Sequence, residues 1–96
     1  MAAYTYIMTC ASNSAIHVGA TGDLAARALA HRLAEACDHT ARYRIRKLVY
    51  FEMFDTLTLA EARRAVLVRW PRAWKNDLIG LGNPGWTDLA REGFLR

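Results

Sequence analysis

The eight residues Lys47–Phe54, KLVYFEMF, constrain the fold more than any other stretch of this chain. A run of aliphatic and aromatic side chains, opened by Lys47 and interrupted only by Glu52, suits a pleated, largely buried strand. The backbone of such a strand must find partners, because buried N–H and C=O groups are rarely left unpaired. Two further strand-like segments lie upstream. Tyr4–Cys10 is rich in Tyr, Thr and Ile, and Ala15–Thr21 follows it across the turn cluster Ala11-Ser12-Asn13-Ser14. The two read as a hairpin.

Helical segments separate and follow these strands. Thr21-Gly22-Asp23 turns the chain, and Asp23 or Thr21 can cap a helix over Leu24–Ala36. Leu29, Leu33 and Ala36 fall on one side of it and are expected to face the core. Arg27, His31 and Glu35 recur every four residues as a polar stripe. Asp38–Arg46 reads as a polar loop carrying Arg42, Arg44 and Arg46. Thr58-Leu59-Ala60-Glu61 reads as a capping box opening a second helix. Leu59, Ala62, Val66 and Trp70 are expected to line its inner face. Pro71 stops that helix and can occupy the first turn of a third, marked by Trp74, Leu78 and Leu81. Asn83-Pro84-Gly85 breaks the third, and Trp86–Leu95 reads as a short helical tail. The order ββαβαα(α) in 96 residues describes one domain, residues 1–96, of the α+β class: a small antiparallel or mixed sheet flanked by helices.

With 53% apolar and 23% charged residues the chain can build a core and is not of the disordered class. The net charge is +4, and all but Lys47 and Lys75 of the basic residues are Arg. Guanidinium forks match phosphate oxygens in pairs, so nucleic acid fits as a partner, although many small basic domains bind none. The N-terminal stretch lacks the basic region of a signal peptide, and no run approaches the roughly 18 apolar residues of a membrane span. The expected address is cytoplasmic, with no membrane partner. Cys10 and Cys37 stand far apart without CxxC spacing and read as thiols, not as a disulfide or a metal pair. Trp70, Trp74 and Trp86 are expected in the core, and Tyr43 is placed to stack on a base.

By spacing alone, the stripe of Arg27 and His31 reads as a solvated helix face. Tyr6 and His17, each mid-strand in the hairpin, read as an aromatic pair on a sheet face. Either set could instead do proton chemistry at a phosphate.

The motifs in their order favour the second view. Tyr4-Thr5-Tyr6, Ile16-His17-Val18-Gly19 and Asp23-Leu24-Ala25-Ala26-Arg27, with His31 one turn on, resemble the opening of the GIY-YIG nuclease superfamily, in its small stand-alone bacterial branch. His39-Thr40-Ala41-Arg42-Tyr43 is similar to that branch's F-T-x-R-Y loop, and Leu48-Val49-Tyr50-Phe51-Glu52 to its L-V-Y-Y-E strand. Arg72-Ala73-Trp74-Lys75 and Asn83-Pro84-Gly85-Trp86-Thr87-Asp88-Leu89 are similar to its R-A-W-K and N-P-x-W-x-D-L endings. The resemblance runs from about Tyr4 to Leu89 and implies a three-stranded antiparallel sheet flanked by helices. It implies an endonuclease-like site with Tyr6 as general base or its partner, and Gly19 as the last glycine of the second motif. Arg27 would stabilise the charged transition state, and His31 would assist proton transfer or place the water. Read from the residues themselves, Arg42, Arg44, Arg46, Arg64 and Arg72 could contact phosphates and Tyr43 a base of a nucleic acid, with DNA expected.

Two positions depart from the family pattern. His17 stands where the second motif has Tyr, which keeps a group able to pass a proton. Arg64 stands where the second helix carries the Glu that binds Mg²⁺ or Mn²⁺, so the metal ligand is lost and a repelling charge replaces it. Glu61, one turn earlier, reads first as the N3 member of the capping box and only secondarily as a replacement ligand. Arg64 could supply part of the positive charge that a metal brings. Three outcomes stay open: an altered, weak endonuclease, an inactive nucleic-acid binder, and a protein-interaction module.

Overall fold

β1 forms the centre of the sheet because both of its faces are lined by side chains that bury well, Ala3, Thr5 and Ile7 on one and Tyr6 and Met8 on the other. The computed structural model describes residues 2–33 and 42–90. Its elements are β1 Ala3–Thr9, β2 Ile16–Thr21, α1 Leu24–Arg32, β3 Lys47–Phe54, α2 Leu57–Arg69 and α3 Arg72–Gly82. The sheet order is β2-β1-β3, with both pairings antiparallel. This is the expected α+β arrangement, with the hairpin and the KLVYFEMF strand joined in one sheet. A register shift between Ile7 and Met8 marks an irregularity in the β1–β3 ladder. No described helix is long and apolar enough to cross a membrane.

Alternation along β1 divides the core in two. Tyr6 and Met8 pack with Leu24 of α1, Ile45 and Leu48, and Leu89 and Ala90 of the chain's later part close this side. Ile7 and Val49 pack with Ile79 of α3, flanked by Ile16, Val18, Tyr50 and Trp86. α2 is tied to the sheet where Thr5 donates its hydroxyl to the Ala60 carbonyl at 2.7 Å, a buried bond that satisfies both groups.

Both leading helices turn a different side inward from the one their leucines predict. α1 buries Leu24, Ala28 and His31, while Leu29 and Leu33 are exposed. Ala36, Glu35, Cys37 and the motif residues His39, Thr40 and Ala41 lie outside the described residues. α2 buries Ala60 and Leu67, while Leu59, Ala62 and Val66 face solvent and Trp70 is half-buried. The reason is that polar neighbours on the inner sides are paired. His31 meets Tyr6, and Arg63 grips Glu52 of β3 with Nε–Oε1 at 3.0 Å and Nη2–Oε2 at 3.1 Å. A hydrogen-bonded polar group enters a core at little net cost.

The caps also shift one expectation. Thr56, not Thr58, is the N-cap of α2, and its hydroxyl accepts from Leu59 N at 3.2 Å. Glu61 is therefore beyond the first capping turn. Asp23 caps α1, accepting from Ala26 N at 3.1 Å. Pro71 is the residue before α3, so the helix boundary falls where proline places it. Trp74 on α3 is exposed rather than in the core, and Leu81, which helps mark that helix, is exposed too.

The segment from Trp86 to Ala90 is not helical, and residues 91–96 lie outside the described residues. Side chains, rather than a helical ladder, hold it. Asn83 donates from Nδ2 to Val49 O at 3.1 Å and to Thr87 O at 2.9 Å, and its Oδ1 accepts from Thr87 N at 3.1 Å. Asp88 accepts from Leu48 N at 3.2 Å and Ala90 N at 3.1 Å, and pairs with Arg32 at 2.9 Å. The Asn-Pro-Gly-Trp-Thr-Asp run is thus a clasp joining α3, β3 and the end of α1.

Candidate active site

The β1–β2 register sets Tyr6 opposite Gly19. A Cβ at position 19 would stand 2.5 Å from Tyr6 Cζ, far inside contact distance. Only glycine lets the phenol lie across β2, so the last residue of the His17-Val18-Gly19 motif is there for close approach rather than for a turn. His17, two residues earlier, pairs with Met8 and so lies on the same face of the sheet as Tyr6.

α1 brings the second set. His31 is buried, with 1% exposure, and its Nε2 lies 3.0 Å from the Tyr6 hydroxyl. The His17 and His31 rings are 5.1 Å apart between centroids, and Tyr6 and His17 are 6.1 Å apart. Arg27, one turn before His31, lines the same cavity from an exposed position. The cavity, about 240 Å³, is completed by Glu61 and Arg64 of α2. Tyr6, His17, Gly19, Arg27, His31 and Arg64 therefore do converge, and His31 belongs to a buried group instead of a solvated stripe.

The hydrogen bonding of His31 selects its tautomer. Its Nδ1 is buried and has no partner among the described residues. An orphaned N–H is costlier than an orphaned lone pair. The arrangement with less strain places the proton on Nε2, which donates to the Tyr6 oxygen and leaves Nδ1 as the bare acceptor. Burial, reinforced by His17 and Arg27, pulls the His31 pKa down to about 4. At neutral pH the ring is an uncharged donor. An N–H aimed at the phenol oxygen is the contact Tyr6 requires if it is to take a proton from water as phenolate.

The two adjacent arginines of α2 part company. Arg63 turns to Glu52 and lies 5.1 Å from the Trp70 ring centroid, and Tyr50 donates a hydrogen bond to the same Glu52 carboxylate. Arg64 faces the cavity, and its Nε donates to Glu61 Oε2 at 2.9 Å. Glu61 is thus a cavity residue, although sequence reasoning read it first as a cap and only secondarily as a replacement ligand. Its i,i+3 spacing from Arg64 was the available signal. The divalent metal implied by the resemblance does not fit this donor set. Among the described residues no three His, Cys, Asp or Glu side chains are placed to hold an ion. The carboxylate that lines the cavity already has a guanidinium as its partner.

Arg42, Tyr43 and Arg44 are elsewhere. Tyr43 and Arg44 border a larger cavity of about 710 Å³ with Cys10, Arg32, Arg46 and Lys47, and the Arg42 guanidinium lies 5.9 Å from the Tyr43 ring centroid. Cys10 sits in that cavity's wall, close to the Ser12 and Ser14 hydroxyls at 3.3 and 3.4 Å. Those hydroxyls, with Ala15 N, lower the thiol pKa to about 6. A lone cysteine in a turn gave no hint of this in the sequence.

Comparison with known proteins places these features. Residues 2–77 match the family described as the GIY-YIG catalytic domain. The chain is similar to the UPF0213 protein HQ_3675A of Haloquadratum walsbyi, with 32% identity over 79 residues that span 82% of this chain and 88% of that protein. Its fold is similar to the solution NMR structure of the UPF0213 protein BH0048 from Bacillus halodurans, with a TM-score of 0.57 and 20% identity over 97% of this chain and 98% of that one.

Proposed function

The chain belongs to the GIY-YIG catalytic domain family, and from that premise we propose that its Tyr6–His31 cavity binds a nucleic-acid phosphodiester, DNA by preference, and hydrolyses it slowly without a metal. The observation that carries this reading is the 3.0 Å contact between the Tyr6 hydroxyl and His31 Nε2 inside a cavity that also holds Arg27 and Arg64. In the reaction a water oxygen attacks phosphorus while the bond to the leaving oxygen breaks. Tyr6, held by His31, takes the water proton. His17 is the group in the cavity able to return a proton to the leaving oxygen. Arg27 and Arg64 neutralise charge on the non-bridging oxygens. Arg64 must first exchange its bond to Glu61 for one to phosphate, and it does not acidify water as a metal does, so the rate is low.

The test is a cleavage assay on single-stranded, duplex and branched DNA with Mg²⁺, Mn²⁺ or EDTA. Wild-type product should form equally in EDTA. Arg27→Ala should cut the rate by about 10²–10³, the usual effect of losing one transition-state donor. Product that forms only with added metal would refute the role given to Arg64. The Arg64–Glu61 pair also favours a second reading, an inactive member that grips nucleic acid through the same face. Binding that weakens steeply with salt, with no product under any of these conditions, would establish that reading instead.

A further inference from the structure

The larger cavity, at the hairpin-turn end of the sheet, carries a cationic wall that the chemistry above does not use. Its four cations are not equivalent. Arg32 is held by Asp88 at 2.9 Å, and Lys47 donates to Asn13 Oδ1 at 2.8 Å. Arg44 and Arg46 have no carboxylate partner among the described residues and are exposed at the cavity's edge. Between them Ile45 is fully buried, and Arg46 N donates to Thr9 O at 3.2 Å. The backbone is therefore pinned with both guanidinium groups turned outward. Tyr43, half exposed, borders the same space. A ring beside two guanidinium groups that have no carboxylate partner among the described residues is the combination that holds a nucleotide, base on ring and phosphate on the forks.

The two cavities have lining residues four positions apart on the chain that forms and leaves β1. Tyr6 lines one and Cys10 the other. Four residues of extended chain span about 13 Å, and stacked bases rise about 3.4 Å per step. Resting on the reading that the Tyr6–His31 cavity takes a phosphodiester, we propose that the second cavity is a subsite for a nucleotide flanking the scissile phosphate, with Tyr43 under the base and Arg44 and Arg46 on its phosphate. It lies about four steps or fewer along the same strand. The subsite gives single-stranded ends or loops an advantage, because a flanking base must be unstacked to reach the ring.

The experiment measures binding of the full chain to fluorescent oligothymidylates of two, four, six and eight nucleotides at low salt. Arg44→Asn with Arg46→Ala, Tyr43→Ala and Arg27→Ala are compared with wild type, and inorganic phosphate and thymidine monophosphate serve as competitors. Asn is chosen at position 44 because the backbone there has φ 54°, which Asn tolerates. Wild-type affinity should rise between two and six nucleotides. That rise should vanish in the double Arg variant and shrink about fivefold or more in Tyr43→Ala. The log–log salt slope should fall by about 0.7 per lost contact. Arg27→Ala should weaken every length, the dinucleotide included. Length dependence unchanged in both Arg44/Arg46 and Tyr43 variants overturns the subsite, and Arg27→Ala still weakening all lengths would then leave the first cavity's role standing. An Arg27→Ala protein that binds like wild type overturns that role. Phosphate displacing the long oligonucleotide as well as the mononucleotide does would reduce the second cavity to a plain anion site and overturn the stacking role of Tyr43.

Discussion

Acidification should destabilise this fold through His31 in a defined window. The ring is buried and neutral in the folded protein, with its pKa brought from 6.5 to about 4. Above pH 6.5 neither folded nor unfolded chain binds the proton, and His31 adds no pH dependence. Between 6.5 and 4 the unfolded chain takes it up and the folded chain does not, so stability falls by about 1.4 kcal/mol per pH unit. Below 4 both are protonated and the loss is complete, at roughly 3 kcal/mol. That is a large fraction of the roughly 5–15 kcal/mol that holds a typical domain together. The groups that bear on His31 are Tyr6, His17 and Arg27, and Glu61, the carboxylate that lines the same cavity among the described residues, is already paired with Arg64. Urea unfolding from pH 7.5 to 4, for wild type and His31→Gln, isolates the effect, because titration of the carboxylates is common to both. The wild type should lose about 3 kcal/mol more than the variant across the window. Parallel curves for the two proteins would refute the burial of a neutral imidazole, and with it the donor role given to Nε2.

Three further outcomes follow from packing and caps. Gly19→Ala should cost about 1–3 kcal/mol by chemical denaturation, as overpacking does, and should displace the Tyr6 ring, seen as a changed near-ultraviolet signal. Asn83→Ala should cost about 2–4 kcal/mol, since Val49 O and the Thr87 amide lose a buried partner, and amide exchange should quicken at Thr87 and Leu89. Thr56→Ala should cost about 1 kcal/mol while Thr58→Ala stays within about half of that, the reverse of what a capping box at Thr58 requires.

The strands and the breaks were legible along the chain. KLVYFEMF forms β3 with the bounds its composition predicts, the hairpin lies within a residue of its predicted ends, and Pro71 separates two helices. These are local matters, settled by side-chain fit to a pleated surface and by the missing proline N–H. The motif residues Tyr6, His17, Gly19, Arg27 and His31 were singled out through the resemblance of the motifs to a known family, since spacing alone reads Arg27 and His31 as a solvated helix face. Which helix faces turn inward was not. Hydropathy patterning assumes that apolar side chains are the ones buried, yet Leu29 and Leu59 are exposed while His31 is buried and Arg63 is half-buried. Those polar groups are admitted because Tyr6 and Glu52, distant along the chain, are in position to pair with them. The same holds for Arg63 and Arg64, identical neighbours in sequence that fold to different partners, and for Glu61, whose place in the cavity depends on where Thr56 starts the helix. Local propensity sets the elements, whereas the inner face of each is chosen by which polar groups find partners when the elements meet, and that choice exists only in three dimensions.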